Sequence, residues 1–293
     1  MDATMQRILA DVPELQGRQI DVTALGGGLT NSNYRLKTDH GSFVLRIAGE
    51  GTESLGIDRA REVACSQAAD AAGVGPRVVA YLPAHRALVS IFVEGRLLKI
   101  EDVRRPEILA RIAKTLRRCH DHPPPAGLGR FCPFATIRGY HTMAVAKGVP
   151  LPAAMGPAMT RFQEIEKELA TDEPACLCHN DLLASNFIDN GSDMRIIDWE
   201  YGGLGDRFFD LGNFAVNHQL DPTEEHALLT AYRGAARAEH LRRLRLMRRV
   251  SDLREATWGF LQSSLSRLHE PQYYLAYGRK HLDRFLAGPF ASP

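Results

Sequence analysis

His179-Asn180-Asp181-Leu182-Leu183-Ala184-Ser185-Asn186-Phe187-Ile188, followed by Ile196-Ile197-Asp198-Trp199-Glu200-Tyr201, is the stretch that organises the rest of the chain. Its apolar runs, Phe187-Ile188 and Ile196-Ile197, read as two short strands around a polar turn. They belong to a β-like island, Cys176 to Trp199, inside a region that otherwise reads as helix: 101–121, 158–170, 223–237, 239–265 and 271–287. Residues 122–157 are rich in Pro and Gly and read as an irregular connection, a candidate for the substrate rim. Upstream of Val93-Glu94-Gly95-Arg96 the pattern differs. Ile20–Leu25, Asn33–Thr38, Ser42–Ile47, Val78–Tyr81 and Ala87–Phe92 read as strands. Asp58–Ala72 reads as one helix, capped by Asp58 and ended by Gly73. Strands first and helices later predict an α+β chain: an N-terminal five-stranded antiparallel sheet with one helix over residues 1–94, then a mostly helical lobe over 95–293.

Within the organising stretch, Asp181 and Asn186 are five residues apart, and Asp198 follows twelve residues after Asn186. This is the H-x-D-x-x-x-x-N spacing of a kinase catalytic loop with a later metal-binding aspartate. Phosphoryl transfer needs a carboxylate that orients an attacking hydroxyl and takes its proton, the role assigned to Asp181. It also needs hard oxygen ligands for magnesium, the role assigned to Asn186 and Asp198. His179 is expected to brace the loop by hydrogen bonding. A turn followed by a hairpin would account for any one of these residues, but not for all three at this spacing.

Such chemistry calls for a loop over the phosphates. Leu25-Gly26-Gly27-Gly28-Leu29-Thr30-Asn31-Ser32-Asn33 lies between two expected strands. Gly27 and Gly28 allow close backbone approach, and Thr30, Asn31 and Ser32 offer donors. It is neither a Walker A loop nor G-x-G-x-x-G. Arg46, ending Phe43-Val44-Leu45-Arg46, supplies a cation for the phosphates, and Glu62 on the next helix is placed to orient it.

With these residues in place the chain resembles the choline/ethanolamine kinase family, within the wider aminoglycoside-phosphotransferase-like kinases. The resemblance is carried by Gly27-Gly28-Leu29-Thr30-Asn31, Val44-Leu45-Arg46-Ile47, Cys178-His179-Asn180-Asp181, Asn186-Phe187-Ile188, Ile197-Asp198-Trp199-Glu200-Tyr201 and Phe209-Asp210-Leu211-Gly212-Asn213. Gly51-Thr52-Glu53, Asp58-Arg59 and Glu62 look like the bacterial branch. The resemblance implies a bilobal protein-kinase-like fold, ATP and Mg2+ as cofactors, and an amino alcohol or quaternary ammonium alcohol as acceptor. It implies adenine docking near Phe92, Val93 and Glu94. A trimethylammonium head donates no hydrogen bonds, so aromatic faces and carboxylates hold it. Glu200, Tyr201, Trp258, Tyr274 and Tyr277 are the candidates. Two positions depart from the animal choline kinases: Leu261 stands where a second Trp is expected, and Leu183 where a Gln is expected. The same fold acting on an aminoglycoside, thiamine or a sugar, or a non-catalytic nucleotide-binding module, stands as the alternative.

The bulk properties restrict the partners. A formal net charge of +1 gives no global attraction to nucleic acid or an anionic membrane. No apolar run approaches the roughly 20 residues of a membrane span. The N-terminus does not read as a signal peptide, and five cysteines are an odd number, which together point to reduced thiols in the cytoplasm. The partner expected is a small cationic alcohol, and a homodimer is the oligomer considered. Cys176-Leu177-Cys178-His179 lacks a second Cys or His pair at zinc-finger spacing and reads as two small core residues flanking a strand. The run Arg242 to Arg249 reads as a solvated helix face, and Asp210 as a brace for the catalytic loop.

Overall fold

A computed structural model describes residues 3–26, 31–49, 55–170, 173–266 and 268–288. Gly27, Gly28 and Thr30 of the glycine-rich loop, and Gly51-Thr52-Glu53, lie outside these residues. The chain divides into two compact units, Met1–Leu98 with Ser185–Tyr201, and Lys99–Ala184 with Gly202–Pro293.

The first unit is built on an antiparallel sheet of β1 (Asp21–Leu25), β2 (Asn31–Thr38), β3 (Gly41–Ala48), β4 (Val78–Leu82) and β5 (Ala87–Ile91), in the order β1-β2-β3-β5-β4. Strand alternation decides what each face carries. Phe43 and Leu45 of β3 are buried in a core with Leu36, Val89 and helix α1 (Ala3–Ala10), whose Ile8 and Leu9 pack there. Arg46, one step along, points to the opposite face. Helix α2 (Arg59–Ala71) begins where expected because the Asp58 carboxylate accepts from the amides of Ala60 and Arg61 at 2.9 and 3.1 Å. The five strands and this helix match the expected α+β class.

The segment 185–201 returns to this unit. Strand β6 (Arg96–Leu97) pairs with β8 (Phe187–Asp189), which pairs with β9 (Met194–Ile196). The Ile196 amide donates to Val74 O at 2.7 Å, and the Arg195 guanidinium donates to Gly73 O. These backbone contacts group Asn186 and Asp198 with the sheet-bearing unit, although the sequence places them inside the helical region.

The second unit holds α3 (Ile100–Val103), α4 (Pro106–Asp121), α5 (Pro133–Ala146), α6 (Met155–Leu169), α7 (Arg207–Asn217), α8 (Pro222–Arg233), α9 (Ala238–Leu265) and α10 (Pro271–Ala287), with the two-stranded pair β7 (Cys176–Cys178) and β10 (Gly203–Gly205). The expected helix 101–121 is broken at Pro106, which lacks an amide donor and starts α4. The connection 122–157 is not wholly irregular: α5 occupies its middle, starting at Pro133. Helix α7 runs almost entirely buried from Phe208 to Val216, so no polar–apolar alternation marks it in the sequence.

Glycines set two close helix contacts. A Cβ on Gly212 of α7 would lie 2.7 Å from Arg248 N on α9, and one on Gly259 of α9 would lie 2.9 Å from Gly278 N on α10. The arginine run on α9 is only in part a solvated face: Arg242 and Arg245 are exposed, whereas Arg243, Arg248 and Arg249 turn inward. Arg242 pairs with Glu168 at 2.6 Å, Arg243 with Asp206, and Arg245 with Glu225 at 2.8 Å. Arg248 also pairs with Glu225, and Arg249 donates to Phe285 O at 2.8 Å. These side chains tie α9 to α6, to the cap of α7, to α8 and to α10. Charge density hid this role, because a cation facing solvent and one facing a buried carboxylate look alike in sequence.

Candidate active site

In the first unit the centre is Arg46. Its Nη1 lies 2.8 Å from Glu62 Oε1, and its Nη2 lies 2.8 Å from Asp198 Oδ1 and 2.9 Å from Glu200 Oε2. Arg59 joins from α2, 2.6 Å from Glu62 and 3.5 Å from Glu200. Burial works against the Arg46 charge, but Asp198, then Glu62 and Glu200, outweigh it, and the guanidinium pKa moves up. Burial and the neighbouring Asp198 push the Glu200 carboxyl up, with Arg46 and the Asn31 amide pulling the other way. Glu200 is therefore taken up by Arg46 and by Asn31 Nδ2, which donates to it at 3.0 Å. Tyr201 is buried in the same unit.

Asn186 ends a short 3-10 turn with its side chain buried, and its carbonyl accepts from Ile197 N at 2.9 Å. Asp198 has φ 69, a left-handed conformation that a non-glycine residue adopts at a cost, and its side chain is one third exposed. Asp198 and Asn186 offer oxygen donors alone, the set a hard divalent ion prefers. The charged groups of the cluster fit such an ion as well. Two guanidinium groups meet three carboxylates, a net charge of −1, which a dication would reverse. Ser32 is exposed at the start of β2. Phe92 lies under the Arg35 guanidinium at 3.9 Å, Glu94 pairs with Arg35 at 2.5 Å, and half-buried Val93 stands between them in the chain.

In the second unit the centre is Asp181. The loop before it is held by α7. Asp210, fully buried, accepts from His179 N at 2.8 Å and Asn180 N at 2.6 Å. Asn213 Oδ1 accepts from Leu182 N at 2.6 Å, and Asn217 Nδ2 donates to Leu182 O at 3.4 Å. Positions 210, 213 and 217 share one helix face, so α7 presents a polar stripe to the loop backbone. The imidazole of His179 braces the loop as expected, its Nδ1 accepting from Asp181 N at 3.2 Å.

Helix α9 supplies the rest. Arg254, 2% exposed, sits 3.6 Å from Asp181 Oδ1, donates to Asn180 O at 3.2 Å and pairs with Glu255 at 2.9 Å. The Tyr277 hydroxyl donates to Glu255 Oε2 at 2.8 Å. Burial, with Glu255 next, pushes the Tyr277 phenol up, so it stays neutral. Half-buried Trp258 meets the Tyr277 ring edge-on at 5.6 Å and the Tyr274 ring at 6.0 Å. The structure thus brings Trp258, Tyr274 and Tyr277 together. Tyr274 is buried and its hydroxyl is engaged by Ser266 at 2.7 Å. Leu261 is fully buried, and Leu183 is exposed.

Arg59 and Asn213 appear in the sequence only within the stretches that carry the resemblance, with no role assigned, and Arg254, Glu255 and Asn217 are not singled out there. Asn213 and Asn217 had a legible signal, two amides at helical spacing after Asp210 in an apolar run. Arg254-Glu255 had none, because adjacent opposite charges on a helix are ordinary.

Residues 21–247 match the model of the phosphotransferase enzyme family. A probable ethanolamine kinase of Arabidopsis thaliana is 29% identical over 235 residues, covering 72% of this chain and 62% of that protein. Ethanolamine kinase 2 of Mus musculus is 28% identical over 214 residues, covering 69% of this chain and 54% of that protein. The chain thus spans somewhat more than half the length of these curated relatives. The crystal structure of a choline/ethanolamine kinase family protein from Mesorhizobium loti superposes with a TM-score of 0.83 at 29% identity, covering 98% of this chain and 96% of that one. The family model spans well over half of the sequence, and the chain belongs to the phosphotransferase enzyme family.

Proposed function

We propose that the chain is an ATP-dependent kinase that phosphorylates the hydroxyl of ethanolamine, choline or a related amino alcohol, in the cytoplasm. The observation that carries this reading is the Asp181–Arg254–Glu255 group. Two carboxylates and one guanidinium leave a net charge of −1 beside the neutral Tyr277 and the half-buried Trp258. A small cationic alcohol suits that charge and those rings. The ethanolamine kinases among the relatives point the same way. Free thiols at all five cysteines are consistent with a reducing compartment.

In this reading Asp181 orients the acceptor hydroxyl and takes its proton, held in place by the Asp210-bound loop. Arg254 offsets part of the negative charge and keeps the carboxylate aligned. Glu255 receives the ammonium group. Asn186 and Asp198 would hold magnesium, which when bound neutralises charge on the transferring phosphates. Arg46 is steered by Glu62 and Glu200 and contacts phosphate oxygens. Asn31, Ser32 and the glycine-rich loop line the phosphates, and Phe92, Val93 and Glu94 receive the adenine.

The test is phosphate transfer from ATP with Mg2+ to a panel of ethanolamine, choline, thiamine and an aminoglycoside. Turnover of a small amino alcohol that is lost in Asp181→Asn supports the reading. Transfer confined to a bulky polycation, or none to any acceptor, overturns it.

A further inference from the structure

The two cysteines on β7 are buried core residues, as the sequence reading expects, and their side chains lie close to one another. Residues i and i+2 of a strand face the same side. Cys176 Sγ and Cys178 Sγ accordingly lie 3.6 Å apart, with β7 paired to β10 on one side. Helix α4 brings His120 to them, so that one imidazole nitrogen and both sulfurs all fall within 4.8 Å of one another. All three side chains are buried. We infer that His120, Cys176 and Cys178 form a binding site for one thiophilic divalent ion of the zinc and cadmium class.

Three observations converge on that chemistry. A tetrahedral ion with metal–sulfur bonds of about 2.3 Å holds two sulfurs roughly 3.8 Å apart, close to the separation already present. Two thiolates cancel the charge of a dication, and a neutral centre is what a buried position tolerates. Sulfur and imidazole select a soft ion over magnesium, whose oxygen ligands are elsewhere in the chain.

The surroundings give the site an outer layer. His120 Nε2 lies 3.0 Å from Asp210 Oδ2, and Nδ1 lies 2.7 Å from the Tyr232 hydroxyl. Ligation through either nitrogen exchanges one of these partners for the ion and leaves the other to orient the ring, the outer layer usual at a histidine–metal site. Asp210 is the same carboxylate that holds the amides of His179 and Asn180. The zinc-finger spacing rule missed this site because its third ligand comes from a helix more than fifty residues upstream.

Binding forms two metal–sulfur bonds and one metal–nitrogen bond, and it releases two thiol protons to the buffer. The test is a titration of the reduced, chelator-free full chain with Cd2+. The readouts are the thiolate-to-cadmium absorption band, equilibrium dialysis and proton release. One ion per chain and about two protons per ion are expected, with affinity lowered at least tenfold in Cys176→Ser and in Cys178→Ser. The band should persist in Cys132→Ser, since Cys132 is the exposed cysteine. Cys176→Ala, which adds no polar atom to the core, gives a second reading if Cys178→Ser folds poorly. Repeating the titration during refolding separates slow entry from absence of a site. No band in either format, a band unchanged in Cys176→Ser and Cys176→Ala, or a band lost in Cys132→Ser overturns the inference.

Discussion

In the first unit, side chain holds side chain. Arg46 from β3 grips Glu62 from α2 and Asp198 and Glu200 from beyond β9, with Arg59 closing the ring. In the second unit, side chains hold backbone. Asp210 and Asn213 of α7 take the amides of residues 179, 180 and 182, and Arg254 reaches Asp181. The Arg46 ring and the Asp181–Arg254–Glu255 group each carry a net charge of −1, yet they are stabilised differently. A charge ring is set by mutual compensation, so removing one member leaves the others uncompensated. A backbone cradle is set by geometry and fixes where one carboxylate points. The first arrangement suits a place where mobile phosphates and a cation exchange partners. The second suits a proton acceptor that must not move.

The difference predicts how the two regions fail. Asp181→Asn should lower turnover about 10²–10⁴-fold with little change in stability, read from initial rates of phosphate transfer and from thermal unfolding. An activity loss below tenfold would remove Asp181 from the chemistry. Arg46→Met should act on stability as well as on turnover, because the guanidinium proposed to contact phosphate also holds the charge ring. It leaves three carboxylates around a lost cation and should cost roughly 3–5 kcal/mol by urea unfolding, with Arg46→Lys recovering part of it. A cost under about 1 kcal/mol would mean that solvent already screens the ring.

Asp210→Ala should lie between these outcomes. Each buried amide of His179 and Asn180 loses its acceptor, at about 1–3 kcal/mol each, and kcat should fall together with stability. Stability loss with unchanged kcat would separate the cradle from the proton acceptor. Glu255→Gln is a milder change. About tenfold higher KM for the cationic alcohol, with kcat nearly kept, is expected from the loss of one charge-assisted contact. Equal effects on a neutral alcohol would argue that Glu255 acts through Arg254 alone.

The smallest effect concerns His218, which caps α7 with Nδ1 2.7 Å from Phe214 O. Burial pulls its pKa down from 6.5 to about 4. Between those values the unfolded chain binds the proton and the folded chain does not, so stability should fall as pH drops from about 6.5 towards about 4 and level off below. His218→Phe should flatten that limb of the stability profile measured by urea unfolding. An unchanged slope would place the acid sensitivity elsewhere.

Much of this is legible in the sequence. The five strands, the Asp58-capped helix and the loop from His179 to Asn186 follow from alternation, capping chemistry and spacing within about fifteen residues, which are local properties of a chain. Helices α5 and α7 escaped because one lacks an amphipathic pattern and the other is buried on every side. Tertiary structure alone decided that Glu200 meets Arg46 across 154 residues, that Arg254 turns its guanidinium towards Asp181, that the arginine run of α9 grips its neighbours, and that His120 stands beside Cys176 and Cys178. These pairings depend on which faces of distant elements pack together. No periodicity or spacing in the sequence encodes that packing, and so a residue's type shows what chemistry it can do while the fold chooses the partner with which it does it.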